Sequence, residues 1–189
     1  MNHLHPISRN RGFSLVEVMV ALVVSAVGLL GLAKMESLAV SSTAVASARS
    51  IAAIQASSLA AAMHANRGYW AAGVAPASTT VTALLGSAPT ISDAGLSSAP
   101  PPPGDCSVPA AAGTCTANQM AAFDVQQWAA GLEALLPGSF STITCTTIVT
   151  TPVTCTIQIQ WTENGVAANA LQTNINALQT PTYVLYVQP

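Results

Sequence analysis

Residues Arg11–Lys34 read RGFSLVEVMVALVVSAVGLLGLAK. From Phe13 to Ala33 there are 21 residues with a single charge, Glu17. A helix of that length rises roughly 30 Å, about the thickness of a bilayer core. The run follows a basic, Gly-terminated leader, MNHLHPISRNRG, and its one acid stands near its start. An ionisable side chain inside an apolar span is costly, so Glu17 demands a partner or a route to water.

Arg9 and Arg11 flank the run on one side, and Lys34 on the other is balanced by Glu36. This bias holds the leader in the cytoplasm and favours export of everything after Lys34. Two readings of the N-terminus compete. In the first, Val18–Leu30 is the h-region of a secretory signal peptide, with cleavage after Ala33. In the second, the leader is cut at Gly12 and the apolar helix is kept as an anchor. Glu17 favours the second, because a signal peptide has no use for an acid there.

The residues Arg11-Gly12-Phe13-Ser14-Leu15-Val16-Glu17 resemble the type IV prepilin motif, a Gly-Phe junction with Glu four residues after the Phe. The resemblance implies that a membrane aspartyl peptidase cuts between Gly12 and Phe13 and methylates the new amine of Phe13. It also implies that Glu17 meets the amine of a neighbouring subunit. Physical chemistry is consistent with that role. The cationic amine and the anionic carboxylate offset each other's cost in a low dielectric, and positions 13 and 17 lie about one helical turn apart. The alternative is a Glu17 that snorkels to the headgroups. Ser25, Gly28 and Gly31 are small enough to let helices approach closely in lipid, or are simply tolerated there.

Charged residues make up only 6% of the chain, against about a quarter in ordinary soluble domains. Removing Arg9 and Arg11 leaves three basic against seven acidic side chains, a net charge of −4. Without a basic patch, nucleic acid is not an expected partner. The four cysteines, Cys106, Cys115, Cys145 and Cys155, all follow the apolar run. Export would place them where disulfides persist, and their spacings do not match metal or redox motifs.

Lys34–Asn66 has neither Pro nor Gly and continues the helix. At about 100° per residue, Val40, Ala44, Ile51, Ile54, Ser58 and Ala62 share one face, with Ser42, Arg49, Ala60 and Arg67 opposite. The first face is expected to be buried against a sheet. Asn66-Arg67-Gly68 reads as the stop, and His64 as part of a polar helix end. Residues 68–105 read as a long loop with one short strand near Thr79–Leu85 and a polyproline spacer at Pro100–Pro103. Thr116 and Gln119 form a capping box opening a helix whose Val125, Trp128, Leu132 and Leu135 face a core. The helix ends at Leu136-Pro137-Gly138.

Phe140–Trp161 reads as a β-hairpin. Val153, Cys155, Ile157, Ile159 and Trp161 alternate with polar residues, and Ile143, Cys145 and Val149 share a face of the preceding strand. Hairpin pairing brings Cys145 opposite Cys155, at about the separation a bridge requires. Pairing as Cys106–Cys115 and Cys145–Cys155 is expected, and two other connectivities remain open. Glu163-Asn164-Gly165 signals a turn, and Thr182–Val187 a last strand.

Ala62–Arg67, Cys115-Thr116, Asp124 with Trp128, Leu136-Pro137-Gly138 and the strand ending at Trp161 resemble PilV-type minor pilins, although this chain carries alanines where that group carries charge. The expected fold is α+β, type IV pilin-like, with a long N-terminal helix packed on a small antiparallel sheet. Its parts are a cleaved leader (1–12), a transmembrane and polymerisation half-helix (13–33), a soluble half-helix (34–67) and an α+β head (68–189). The resemblance implies a structural, non-enzymatic minor pilin that initiates or caps a type IV pilus and helps present a tip adhesin. It implies as partners the prepilin peptidase, other minor pilins, the major pilin and the inner membrane, and as locations the inner membrane with a periplasmic head, then the fibre or its tip. No cofactor, metal or catalytic residue is expected. The alternatives are a minor pseudopilin of a type II secretion system and a secreted binding module cleaved after Ala33.

Overall fold

A computed structural model describes residues 12–98, 106, 115–146, 152–163 and 180–189. The chain divides into two compact units, Met1–Ser42 and Thr43–Pro189. The described part of the first unit is helical from Leu15. This helix, α1, runs Leu15–Ala65 in sequence and continues into the second unit. Fifty-one residues without an internal Pro, dominated by Ala, Leu, Val and Ser, present nothing that breaks a helix.

The second unit is built on a five-stranded antiparallel sheet in the order β2-β1-β3-β4-β5. Its strands are β1 Ser78–Ala83, β2 Thr90–Ile91, β3 Ser139–Cys145, β4 Cys155–Gln160 and β5 Thr182–Val187. The hairpin β3–β4 has the register Ile143↔Ile157 and Cys145↔Cys155. β5 continues it with Ile157↔Leu185 and Cys155↔Val187. The period-2 alternation therefore puts Ile143, Cys155, Ile157 and Ile159 on the inner face. The Thr and Gln residues between them lie on the outer face.

The segment after α1 contains more structure than the long loop expected for 68–105. It holds α2 Arg67–Trp70, then β1 and β2, then α3 Ala94–Ser98. β1 is an interior strand, paired with β2 on one side and β3 on the other. Its inward residues are Thr79, Val81 and Ala83, an alternation too weakly apolar to announce an interior strand. Pro100–Pro103, Val149 and Asn164-Gly165 lie outside the described residues. α1 stops at Ala65, and Asn66 precedes α2 with its side-chain amide donating to the Ala117 carbonyl at 2.7 Å.

The capping box forms. Thr116 Oγ1 accepts from Gln119 N at 3.3 Å, and Gln119 Oε1 accepts from Thr116 N at 2.9 Å, opening α4 Ala117–Leu135. The exit is a turn in which Gly138 has φ +81°, which a side chain would strain, and its N–H donates to the Ala83 carbonyl at 2.7 Å. That bond fixes the start of β3 against the end of β1.

The core face of α1 differs from the expected one. The buried residues are Ala52, Ala56, Leu59 and Met63. Ile54, assigned to the core by periodicity, is 61% exposed, and Ser58 is exposed as well. Small alanines let the helix backbone come close to the core, whereas hydropathy periodicity follows the larger Ile and Val. The buried side chains join Val81, Val125, Leu132, Ile143, Ile157 and Trp161 in one core. As the sequence suggested, Val125, Trp128 and Leu132 are core residues, and Trp128 Nε1–H donates to the Gln55 carbonyl at 2.8 Å, but Leu135, expected on the same stripe, is 54% exposed at the end of α4. Together these elements give the α+β, type IV pilin-like fold.

Candidate assembly segment

The N-terminal segment carries the residues with an expected role. Gly12, Phe13 and Ser14 precede the helix, and the Ser14 carbonyl accepts from Glu17 N at 3.0 Å and Val18 N at 3.2 Å to close the first turn. Glu17 is the acidic residue of that first turn, where the helix dipole favours a negative charge. A side chain at Gly12 would meet nothing within 4 Å. Packing among the described residues therefore places no demand for glycine there, and the same holds at Gly28 and Gly31.

Every residue from Gly12 to Ser37 is exposed, including Phe13 at 81% and Leu15 at 74%. α1 is long and apolar enough to cross a membrane, and none of its most apolar window is buried. Apolar surface on all sides of a helix is stable in lipid or against other apolar helices, and costly in water.

In the second unit Glu163, which the sequence marks only as the start of a turn, is a buried carboxylate with three side-chain donors. It is 7% exposed. Arg49 donates to it through Nε at 3.2 Å and Nη2 at 3.1 Å, and Trp161 Nε1–H donates to Oε1 at 3.0 Å. The Arg49 hydrogen bonds hold the carboxyl below its ordinary range, against the upward push of burial. Arg49 lies off the buried face, as expected, but it is not idle there: it ties α1 to the residue just after β4. The two partners are 114 positions apart, and no local signal in the sequence links them.

Tyr69 is buried, and burial, with Asp93 nearby, pushes its phenol up to about 12. It lines a groove of about 660 Å³ with Asp93, Thr116 and Asn118. His64 is exposed. Among the described residues, no group of three or more His, Cys, Asp or Glu is placed to hold a metal ion. Cys106 is bonded to Cys115, and Cys145 to Cys155 across the end of the β3–β4 hairpin with Cα atoms 4.1 Å apart.

A family model, the prokaryotic N-terminal methylation motif, matches residues 7–33. No curated protein and no solved structure matches the chain. The match covers the second half of the leader and the apolar run and supports a type IV pilin-like prepilin or pseudopilin. It implies processing by a prepilin peptidase and assembly with other pilins. The apolar helix fits anchoring in the inner membrane with a periplasmic head.

Proposed function

We propose that this chain is a minor pilin of the PilV type, a low-abundance structural subunit that initiates or caps a type IV pilus. In this reading, peptidase cleavage between Gly12 and Phe13 frees an amine that is methylated. Glu17 then pairs with the amine of a neighbouring subunit and sets the axial register of the packed helices. The head is displayed at the fibre tip with other minor pilins and an adhesin. The observation that carries the proposal is the methylation motif on an apolar helix whose every residue from Gly12 to Ser37 is exposed. That surface calls first for lipid and then for other helices, which is how a subunit stored in a membrane enters a polymer. A minor pseudopilin shares this observation and differs in the machine it serves.

Mass determination of the mature N-terminus tests the reading. A methylated Phe13 is expected, and a chain starting at Lys34 refutes it. In the full-length protein, Glu17→Ala is expected to leave cleavage intact and to abolish recovery of the subunit in sheared fibres. Normal recovery of the variant would remove Glu17 from assembly. Deletion of the gene separates the two machines, since a pilin loses surface fibres and a pseudopilin loses secretion.

A further inference from the structure

Four acids lie in the described part of the second unit: Asp93, Asp124, Glu133 and Glu163. Three have donors. Asp93 Oδ1 accepts from Leu96 N at 2.9 Å, Glu133 from Gly86 N at 3.2 Å, and Glu163 from Arg49 and Trp161. Asp124 alone has no hydrogen bond or ion pair among the described residues, yet it is half-buried on α4. Burial raises its carboxyl above the ordinary range, and no neighbouring positive charge brings it back.

Asp124 has an open, partly polar groove beside it. It lines a groove of about 330 Å³ between α1 and α4, with Gln55 and Ser58 on one wall and Gln127, Trp128 and Gly131 on the other. The volume is at the small end for ligand sites and suits one side chain. The Gln55 amide packs over Gly131, where a Cβ would stand 3.4 Å from Gln55 Oε1, in ordinary van der Waals contact. Carboxylate, two amides and a hydroxyl offer several acceptors around one opening. The indole of Trp128 supplies an apolar wall for an alkyl stem.

Among the described residues, no Lys or Arg of the chain lines this groove. Beyond the leader the chain's Lys and Arg residues are Lys34, Arg49 and Arg67, and residues 99–114, 147–151 and 164–179 contain none. Arg49 is engaged by Glu163, and that is the ion pair among the described residues. A second copy of the chain would bring only these three cations, Arg49 engaged in it as well, and after leader removal the same repelling net charge of −4, so a subunit richer in Lys and Arg fits the site better.

We propose that the α1–α4 groove around Asp124 is the docking site for a lysine or arginine side chain of a neighbouring subunit of different sequence. The carboxylate of Asp124 takes the ammonium or guanidinium, and the amide oxygens of Gln55 and Gln127 accept the remaining N–H groups. This rests on the reading of the chain as a subunit of a pilin assembly. It adds which face of the head meets a partner and what that partner must carry.

The test is site-specific photocrosslinking in the full-length protein in its native membrane. Benzoylphenylalanine replaces Ala130, which is exposed and one turn from Gln127 on α4. The expected adduct joins a different pilin-type subunit at a peptide containing Lys or Arg. Its yield is expected to fall about tenfold in Asp124→Asn, as for loss of one charge-assisted hydrogen bond, and to recover in Asp124→Glu. An adduct whose yield ignores Asp124→Asn, one mapping to a peptide without Lys or Arg, one with a second copy of this chain, or no adduct at all would overturn the proposal. The mature N-terminus is sequenced in the same preparation. A methylated Phe13 with no adduct refutes the groove alone, whereas a chain starting at Lys34 refutes the pilin reading.

Discussion

Leu59→Ala and Ile54→Ala test which face of α1 the head uses. Leu59 is 1% exposed and belongs to the core, while Ile54 is 61% exposed. Truncating Leu59 removes three carbons, at about 0.8 kcal/mol each, or about 2.4 kcal/mol of transfer free energy. The cavity left among α1, α4 and the sheet brings the cost to about 3 kcal/mol, within the range for buried leucines. For a domain of this size, each kcal/mol moves the melting temperature by about 2–4 °C, so a fall of about 6–12 °C is expected. Ile54→Ala should stay within about 0.5 kcal/mol, a shift under about 2 °C. The assay is thermal unfolding of the detergent-solubilised full-length chain followed by tryptophan fluorescence. Trp70, Trp128 and Trp161 are all buried in the second unit, so the signal reports its core and not the apolar helix. If Ile54→Ala destabilised as much as Leu59→Ala, the buried face described here would be wrong and the periodicity reading right.

Acid titration should separate Glu163 from Asp124. The folded carboxyl of Glu163 is depressed, so its bond to Arg49 stabilises above the ordinary carboxylate range and is lost as pH falls through the depressed value. The folded carboxyl of Asp124 is raised, so its cost is present above the raised value and disappears below the ordinary one. Glu163→Gln should therefore lower the melting temperature near about pH 7 and Asp124→Asn should raise it, with both differences narrowing toward about pH 3. Equal and pH-independent effects would contradict both assignments. Replacing Cys145 and Cys155 together by Ala reopens a loop with a sequence separation of 10. Loop-closure entropy puts the loss at about 3 kcal/mol, read from the urea midpoint, and an unchanged midpoint would remove that bridge from the stability of the head.

The elements legible in the sequence were those with a strong local signal. The capping box at Thr116 and Gln119 marked α4, and strict alternation from Val153 to Trp161 marked β4 and its inner face. TYVLYV at Thr182–Val187 became β5 with the bounds read from β formers alone. The sequence marks β1 as a short strand but not as an interior one, because burial of Thr79 and Ala83 is decided by neighbours that close over them. Periodicity selects the wrong face of α1 for a related reason: alanine weighs little in hydropathy, but its small size is what a helix needs to approach a core closely. In the assembly segment, the motif from Arg11 to Glu17 was visible because it is contiguous. The Arg49–Glu163 pair and the Asp124 groove were not, since each joins side chains from distant elements and exists only once the sheet and helices are placed.

The bond between Cys145 and Cys155 also turns the tip of the β3–β4 hairpin into a covalent ring, because it joins the last pair of the two strands. Force passing from one strand to the other has a route through the sulfurs that bypasses the intervening backbone. A protease cut between Thr146 and Thr154 would leave the polypeptide in one piece, with both new ends tethered to the sheet. A cut in that interval would release neither strand from the other, because the bridge holds both.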